Sequence, residues 1–153
     1  MNSARTTSTV SGNRADGGCS VPAEPLVAAA EFDGSAGCIA AARHQAAGFL
    51  TRAQAEHGVA VSARALDLTQ LVVSEVVTNA CKYAPGPIRM DLRIAAARIE
   101  VSVWDSDPVL PVARTAEPGR VGQHGLEIVL AVADAFEARR EPRGKRITVR
   151  IAL

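Results

Sequence analysis

Three side chains within one stretch of the chain are of types that could do chemistry together: Glu75, Asn79 and Lys82. On a helix that turns about 100° per residue they fall within one narrow stripe. Leu68, Leu71 and Val72 flank the stripe, while Leu66, Val73, Val77 and Ala80 cover the opposite side. A helix apolar nearly all round belongs in an interior. There a carboxylate, an amide and an amine need partners, because unpaired buried polar groups are costly. Two readings stand open. In one, Glu75 pairs with Asn79 or Lys82 in an internal structural network. In the other, the stripe is a metal-phosphate site, with the Asn79 oxygen for Mg²⁺, the Lys82 ammonium for phosphate and the Glu75 carboxylate as base.

Asp105 is the second candidate. Period-2 counting puts it on the same strand face as Ile99, Val101 and Val103. A carboxylate ending an apolar row either accepts a hydrogen bond from a ligand amine or forms a turn within Asp105-Ser106-Asp107-Pro108. Trp104 points to the other face, as a partner contact or as edge packing. The third candidate is the run Gly119 to Leu126, where glycines Gly119, Gly122 and Gly125 precede a helix. Glycine lets backbone approach a phosphate closely, and a helix start supplies unpaired N–H donors. The run lacks the Lys-Ser/Thr ending of a P-loop. On local grounds it is a flexible loop or a phosphate cradle, with His124 an exposed loop residue or a phosphate neighbour.

The elements that must position these groups follow from periodicity. Residues 1–25 are rich in Ser, Thr and Gly without periodicity and read as a disordered leader; residues 26–153 form the domain. Leu26–Phe32 is expected as an edge strand. Ser35 to about His57 reads as a helix through Ile39, Ala42, Ala46, Phe49 and Leu50, with Gly58 as its cap. Ser62 can cap a second helix running to Tyr83 or Ala84, halted by Pro85-Gly86-Pro87. Ile88, Met90, Leu92 and Ile94, then Ile99, Val101 and Val103, alternate with polar residues in two strands joined at Ala95–Ala97. A long loop from Pro108 to Gly125 leads to a short helix from Leu126 to about Ala133. Strands at about Ala135–Arg140 and Arg146–Ala152 close the chain. The order predicts an α+β two-layer sandwich, a mostly antiparallel sheet covered on one face by helices.

Composition sets limits. The chain has 153 residues, 48% of them hydrophobic and 22% charged, as expected of one globular domain. A formal charge of +1 and 3% aromatic residues argue against nucleic acid or an anionic membrane as the main partner. No apolar run approaches the ~18–20 residues of a spanning helix. Cys19, Cys38 and Cys81 are odd in number and lack a CxxC spacing, which fits a reducing cytoplasm better than a disulfide framework or a zinc site. Lys82 and Lys145 are the only lysines among 17 basic residues, a bias read as compositional, without functional weight.

Taken in order, the motifs resemble the histidine-kinase-like ATPase (GHKL, or Bergerat) fold. They are closest to the small bacterial anti-sigma-factor serine/threonine kinases. The likeness rests on Ser-Glu-Val-Val-Thr-Asn-Ala at 74–80, Val-Trp-Asp-Ser-Asp-Pro at 103–108 and Gly-Gln-His-Gly-Leu-Glu-Ile-Val at 122–129. It implies Asn79 as Mg²⁺ ligand, Glu75 as catalytic base and Asp105 as acceptor of the adenine amine. Lys82 would meet phosphate and Tyr83 adenine, as in the sensor-kinase form of the helix motif. Gly122 and Gly125 would let lid and helix start close over the phosphates, with His124 and Leu126 beside the nucleotide. Two positions depart from the family: Asp107 stands where it has glycine, and Thr148, the one candidate for its adenine-side threonine, is turned away by alternation. ATP affinity is therefore expected to be modest. The implied protein is cytoplasmic, binds ATP and Mg²⁺, sequesters a sigma factor and phosphorylates an anti-sigma-factor antagonist of the STAS type. Neither nucleic acid nor membrane is a direct partner, and a homodimer stays open. The alternatives are a non-catalytic ATP-binding module and the ATP-binding part of a split sensor kinase.

Overall fold

The computed structural model describes residues 24–84, 86–111 and 124–153, with His124 described by its backbone alone. The leader up to residue 23, Pro85, Gly122 and the rest of loop 112–123 lie outside the described residues. Eight elements follow in the chain: β1 (Leu26–Phe32), α1 (Gly37–His57), α2 (Ala63–Tyr83), β2 (Ile88–Ala95), β3 (Arg98–Asp105), α3 (His124–Val132), β4 (Ala135–Glu141) and β5 (Gly144–Ala152). The strands form one sheet in the order β1-β2-β3-β5-β4, and all four pairings are antiparallel.

Alternation decides which face is covered. Ile88, Met90, Leu92 and Ile94 of β2, Ile99, Val101 and Val103 of β3, and Ile147, Val149 and Ile151 of β5 are all buried. Against them lie Ala42, Ala46, Phe49 and Leu50 of α1, Val72, Val73, Val76 and Val77 of α2, and Val129 of α3. The other face carries charge and hydroxyls: Arg146 bonds Asp91 and Glu141, Arg150 bonds Glu100, and Ser102 bonds Thr148. Trp104 is half-buried on that face, between Arg89 and Arg146 in register. The architecture is the two-layer α+β sandwich. Among the described residues no helix is long and apolar enough to cross a membrane.

Caps explain the helix limits. Gly58 takes the left-handed conformation (φ 64°) and ends α1, and the Ser62 hydroxyl accepts from the Ala65 N–H to start α2. Three boundaries differ from expectation, and two of them matter for the site. α1 begins at Gly37, after Asp33 has bonded the Ser35 N–H in a bend. α3 begins at His124, so Gly125 belongs to its first turn and not to the loop. β5 begins at Gly144, two residues early, which brings Lys145 into the inward-facing row.

Candidate functional site

A cavity of about 360 Å³ opens along the polar stripe of α2. Its walls come from α2 between Glu75 and Tyr83, from the chain after β3 (Asp107, Val109, Leu110), from the start of α3 (Gly125, Leu126) and from β5 (Lys145, Ile147). Eight residues of helix separate Glu75 from Tyr83, about 12 Å along the axis. The stripe is therefore a cavity wall. Glu75 and Asn79 are half-buried, whereas Lys82 and Tyr83 are exposed, Tyr83 at 54%. Lys82 stands two turns from Glu75, about 10.5 Å along the axis, and belongs to the rim.

The first turn of α3 approaches α2 closely. A β-carbon on Gly125 would overlap the Glu75 carboxylate at Oε2. The α3 backbone comes this near because position 125 carries no side chain; a β-carbon there would have to push the end of the Glu75 side chain aside. The contact puts the start of α3 beside the carboxylate, itself one turn from Asn79.

At the end of β3 the site holds an ion pair that the sequence reading does not contain. Asp105 faces Lys145 in register across β3 and β5. The Lys145 ammonium donates to Asp105 Oδ1 at 3.0 Å and to the Asp107 carbonyl at 3.3 Å, and lies 3.7 Å from Asp107 Oδ2. Both Asp105 and Lys145 are 1% exposed. Asp105 is also a turn-former, since its Oδ1 accepts from the Asp107 N–H and Asp107 Oδ1 accepts in turn from Val109 N–H. Arg140 fixes the following carbonyl of Pro108. Gly144 makes the pair feasible, because a β-carbon there would overlap the Asp105 carbonyl oxygen. Burial pushes the Asp105 carboxyl above its ordinary 3.8; the Lys145 hydrogen bond, the Asp107 N–H and the ammonium charge oppose this, and the Asp107 charge adds to it.

The structure thus brings Glu75, Asn79, Lys82, Tyr83, Gly125 and Leu126 to one cavity, with Asp105 behind the Lys145–Asp107 wall. Gly122 and the His124 side chain lie outside what is described. Thr148 does face away, bonded to Ser102. Lys145 is the residue the sequence reading passed over as compositional bias. The signal was there: the alternation of Ile147, Val149 and Ile151 carried back two residues places it inward.

Among the described residues no group of three or more His, Cys, Asp or Glu side chains could hold a metal ion. Asn79 offers one hard amide oxygen, which suits a cation that arrives with ligands of its own. The apolar walls Val76, Val109, Val129 and Ile147 suit a flat ring. The family described as histidine kinase-like ATPase domain matches residues 39–151. No curated protein matches the chain.

Proposed function

Since the chain belongs to the histidine kinase-like ATPase family, whose domain binds ATP, we propose that it is an ATP- and Mg²⁺-dependent serine/threonine kinase of an anti-sigma-factor antagonist. In the absence of that antagonist it would sequester a sigma factor. The observation that carries the reading is the Glu75 carboxylate, set against the first turn of α3 and one turn before Asn79 in a single cavity. The partners are supported by the likeness of the motifs at 74–80 and 122–129 to the anti-sigma-factor serine/threonine kinases.

The roles follow from position. Asn79 offers its carboxamide oxygen to Mg²⁺, which when bound neutralises charge on phosphate oxygens. Lys82, on the rim, offers a cation to the phosphates. Glu75 accepts the proton of the incoming Ser or Thr hydroxyl, a role worth ~10²–10⁴-fold in rate. The hydroxyl oxygen bonds the terminal phosphorus as its bridging P–O bond breaks and ADP leaves. Asp105 accepts the adenine amine at the far end of the site.

Purified protein incubated with γ-labelled ATP and antagonists of the STAS type should place label on a Ser or Thr of the antagonist, and a chelator should abolish it. ATP binding without transfer to any antagonist would leave the nucleotide-dependent docking module.

A further inference from the structure

A buried lysine is a costly way to fill space, since an apolar side chain of similar volume would serve stability at least as well. At position 145 the chain keeps the charge and surrounds it with two carboxylates, one of them at the position where the family has glycine. The ammonium has three donors. Two are used, by Asp105 Oδ1 and the Asp107 carbonyl, and Asp107 Oδ2 at 3.7 Å is an ion-pair partner beyond hydrogen-bond length. A third N–H remains on a side chain that lines the cavity. Asp105 in turn receives both its bonds, from Lys145 and from the Asp107 N–H, on Oδ1.

We propose that Lys145 is a base-reading residue of the nucleotide site, donating to adenine N1 while the neighbouring Asp105 carboxylate accepts the 6-amino group. The inference rests on the ATP reading above and extends it. An ammonium and a carboxylate 3.0 Å apart present a donor beside an acceptor. The 6-aminopurine edge presents the complement, an amine donor beside a ring-nitrogen acceptor. A 6-ketopurine presents the two in reverse order. Lys145 thus takes over a donor function that Thr148, bonded to Ser102 on the opposite face, is in no position to supply. It also offsets the charge of Asp107, whose Oδ2 lies 3.7 Å from the ammonium.

The test is calorimetric binding of ATP and 1-deaza-ATP, which has C–H in place of N1, to the full chain and to Lys145→Met. The wild type should bind 1-deaza-ATP about ten-fold or more weakly than ATP, the loss of one charge-assisted hydrogen bond. In Lys145→Met, ATP should weaken and the ratio between the two nucleotides should fall toward one. Should Lys145→Met fail to fold, the Lys145→Met, Asp107→Asn double variant removes a cation and an anion together and must show the same collapse of the ratio. Equal binding of both nucleotides by the wild type, or an unchanged ratio in the variant, overturns the inference alone. A wild type that binds neither nucleotide overturns the ATP reading with it.

Discussion

Gly125 and Glu75 come from helices about fifty residues apart in sequence, yet a β-carbon on the one would overlap a carboxylate oxygen of the other. The atom in the way is the far end of a flexible side chain, so Gly125→Ala is expected to displace the carboxylate and not the helix. Alanine is the better helix former by about 1 kcal/mol. Thermal unfolding should show the midpoint unchanged or raised. Phosphoryl transfer should nevertheless fall at least ten-fold, since about 1 Å of misplacement can cost about a hundred-fold in rate. Unchanged transfer would mean that the Glu75 position is irrelevant to the reaction.

Asp105 ties stability to pH with a definite sign. Its folded value is raised above 3.8, chiefly by burial. The folded chain therefore holds this proton at pH values where the unfolded chain has lost it. Stability from this group is full below the unfolded value and is lost as pH rises through the folded one. Asp105→Asn removes the slope. In urea unfolding from pH 4 to 7, the stability of Asp105→Asn relative to wild type should increase as pH rises. ATP affinity should fall in the variant by about 1.5–3 kcal/mol, the worth of a hydrogen bond to a charged acceptor. A relative stability that falls with rising pH would show that Lys145, not burial, dominates the carboxyl.

The hairpin between β2 and β3 turns on Ala96 and Ala97, whose φ values of 50° and 57° lie in the left-handed region. Two-residue hairpin turns require this geometry, and glycine or asparagine takes it without the penalty of a β-carbon. Ala97→Gly should stabilise the protein by about 1 kcal/mol, the cost of placing alanine there. Chemical denaturation measures it. Asp105 lies at the opposite end of β3, so ATP affinity should stay as it is.

Cys38, in the first turn of α1, and Cys81, in the last turn of α2, have their sulfurs 3.2 Å apart. Burial and the Cys81 contact push the Cys38 thiol up to about 12. Diamide, which takes up two electrons and two protons, should join them in a disulfide. Titratable thiols would then fall by two, and a Cys38–Cys81 linked peptide would be found by mass spectrometry. Persistence of both thiols would place the two helix ends farther apart.

How much of this was legible depended on how regular the physics is. Ile99, Val101 and Val103 announce a half-covered strand by alternation alone, and the stripe Glu75, Asn79, Lys82 announces one helix face. Both came out as read. Tertiary contacts decided the rest. β5 reaches back to Gly144 because that residue can sit against the Asp105 carbonyl, a contact between segments about forty residues apart. Lys145 was hidden by its type, since a lysine argues for solvent until a buried carboxylate opposite it is known. Gly125 looked like loop because glycine usually breaks helices; it stands in the first turn of α3, against the end of the Glu75 side chain.

Glu75→Gln separates the enzyme from the binding module. A carboxylate one turn before Asn79, in contact with the start of α3, can orient and deprotonate an incoming hydroxyl. On the ATP reading it has no part in holding adenine, a role assigned to Asp105. Glutamine keeps the shape and the hydrogen-bonding oxygen but removes the base and one negative charge facing the phosphates. Glu75→Gln should therefore bind ATP as well as wild type or slightly better by calorimetry, still bind the sigma factor, and lose about 10²–10⁴-fold in transfer to the antagonist. If Glu75 served only to support α3, the variant would lose thermal stability, with ATP affinity and transfer declining together. The half-buried position of Glu75 on an open cavity argues for the first outcome, because a carboxylate with access to water contributes little to holding helices together.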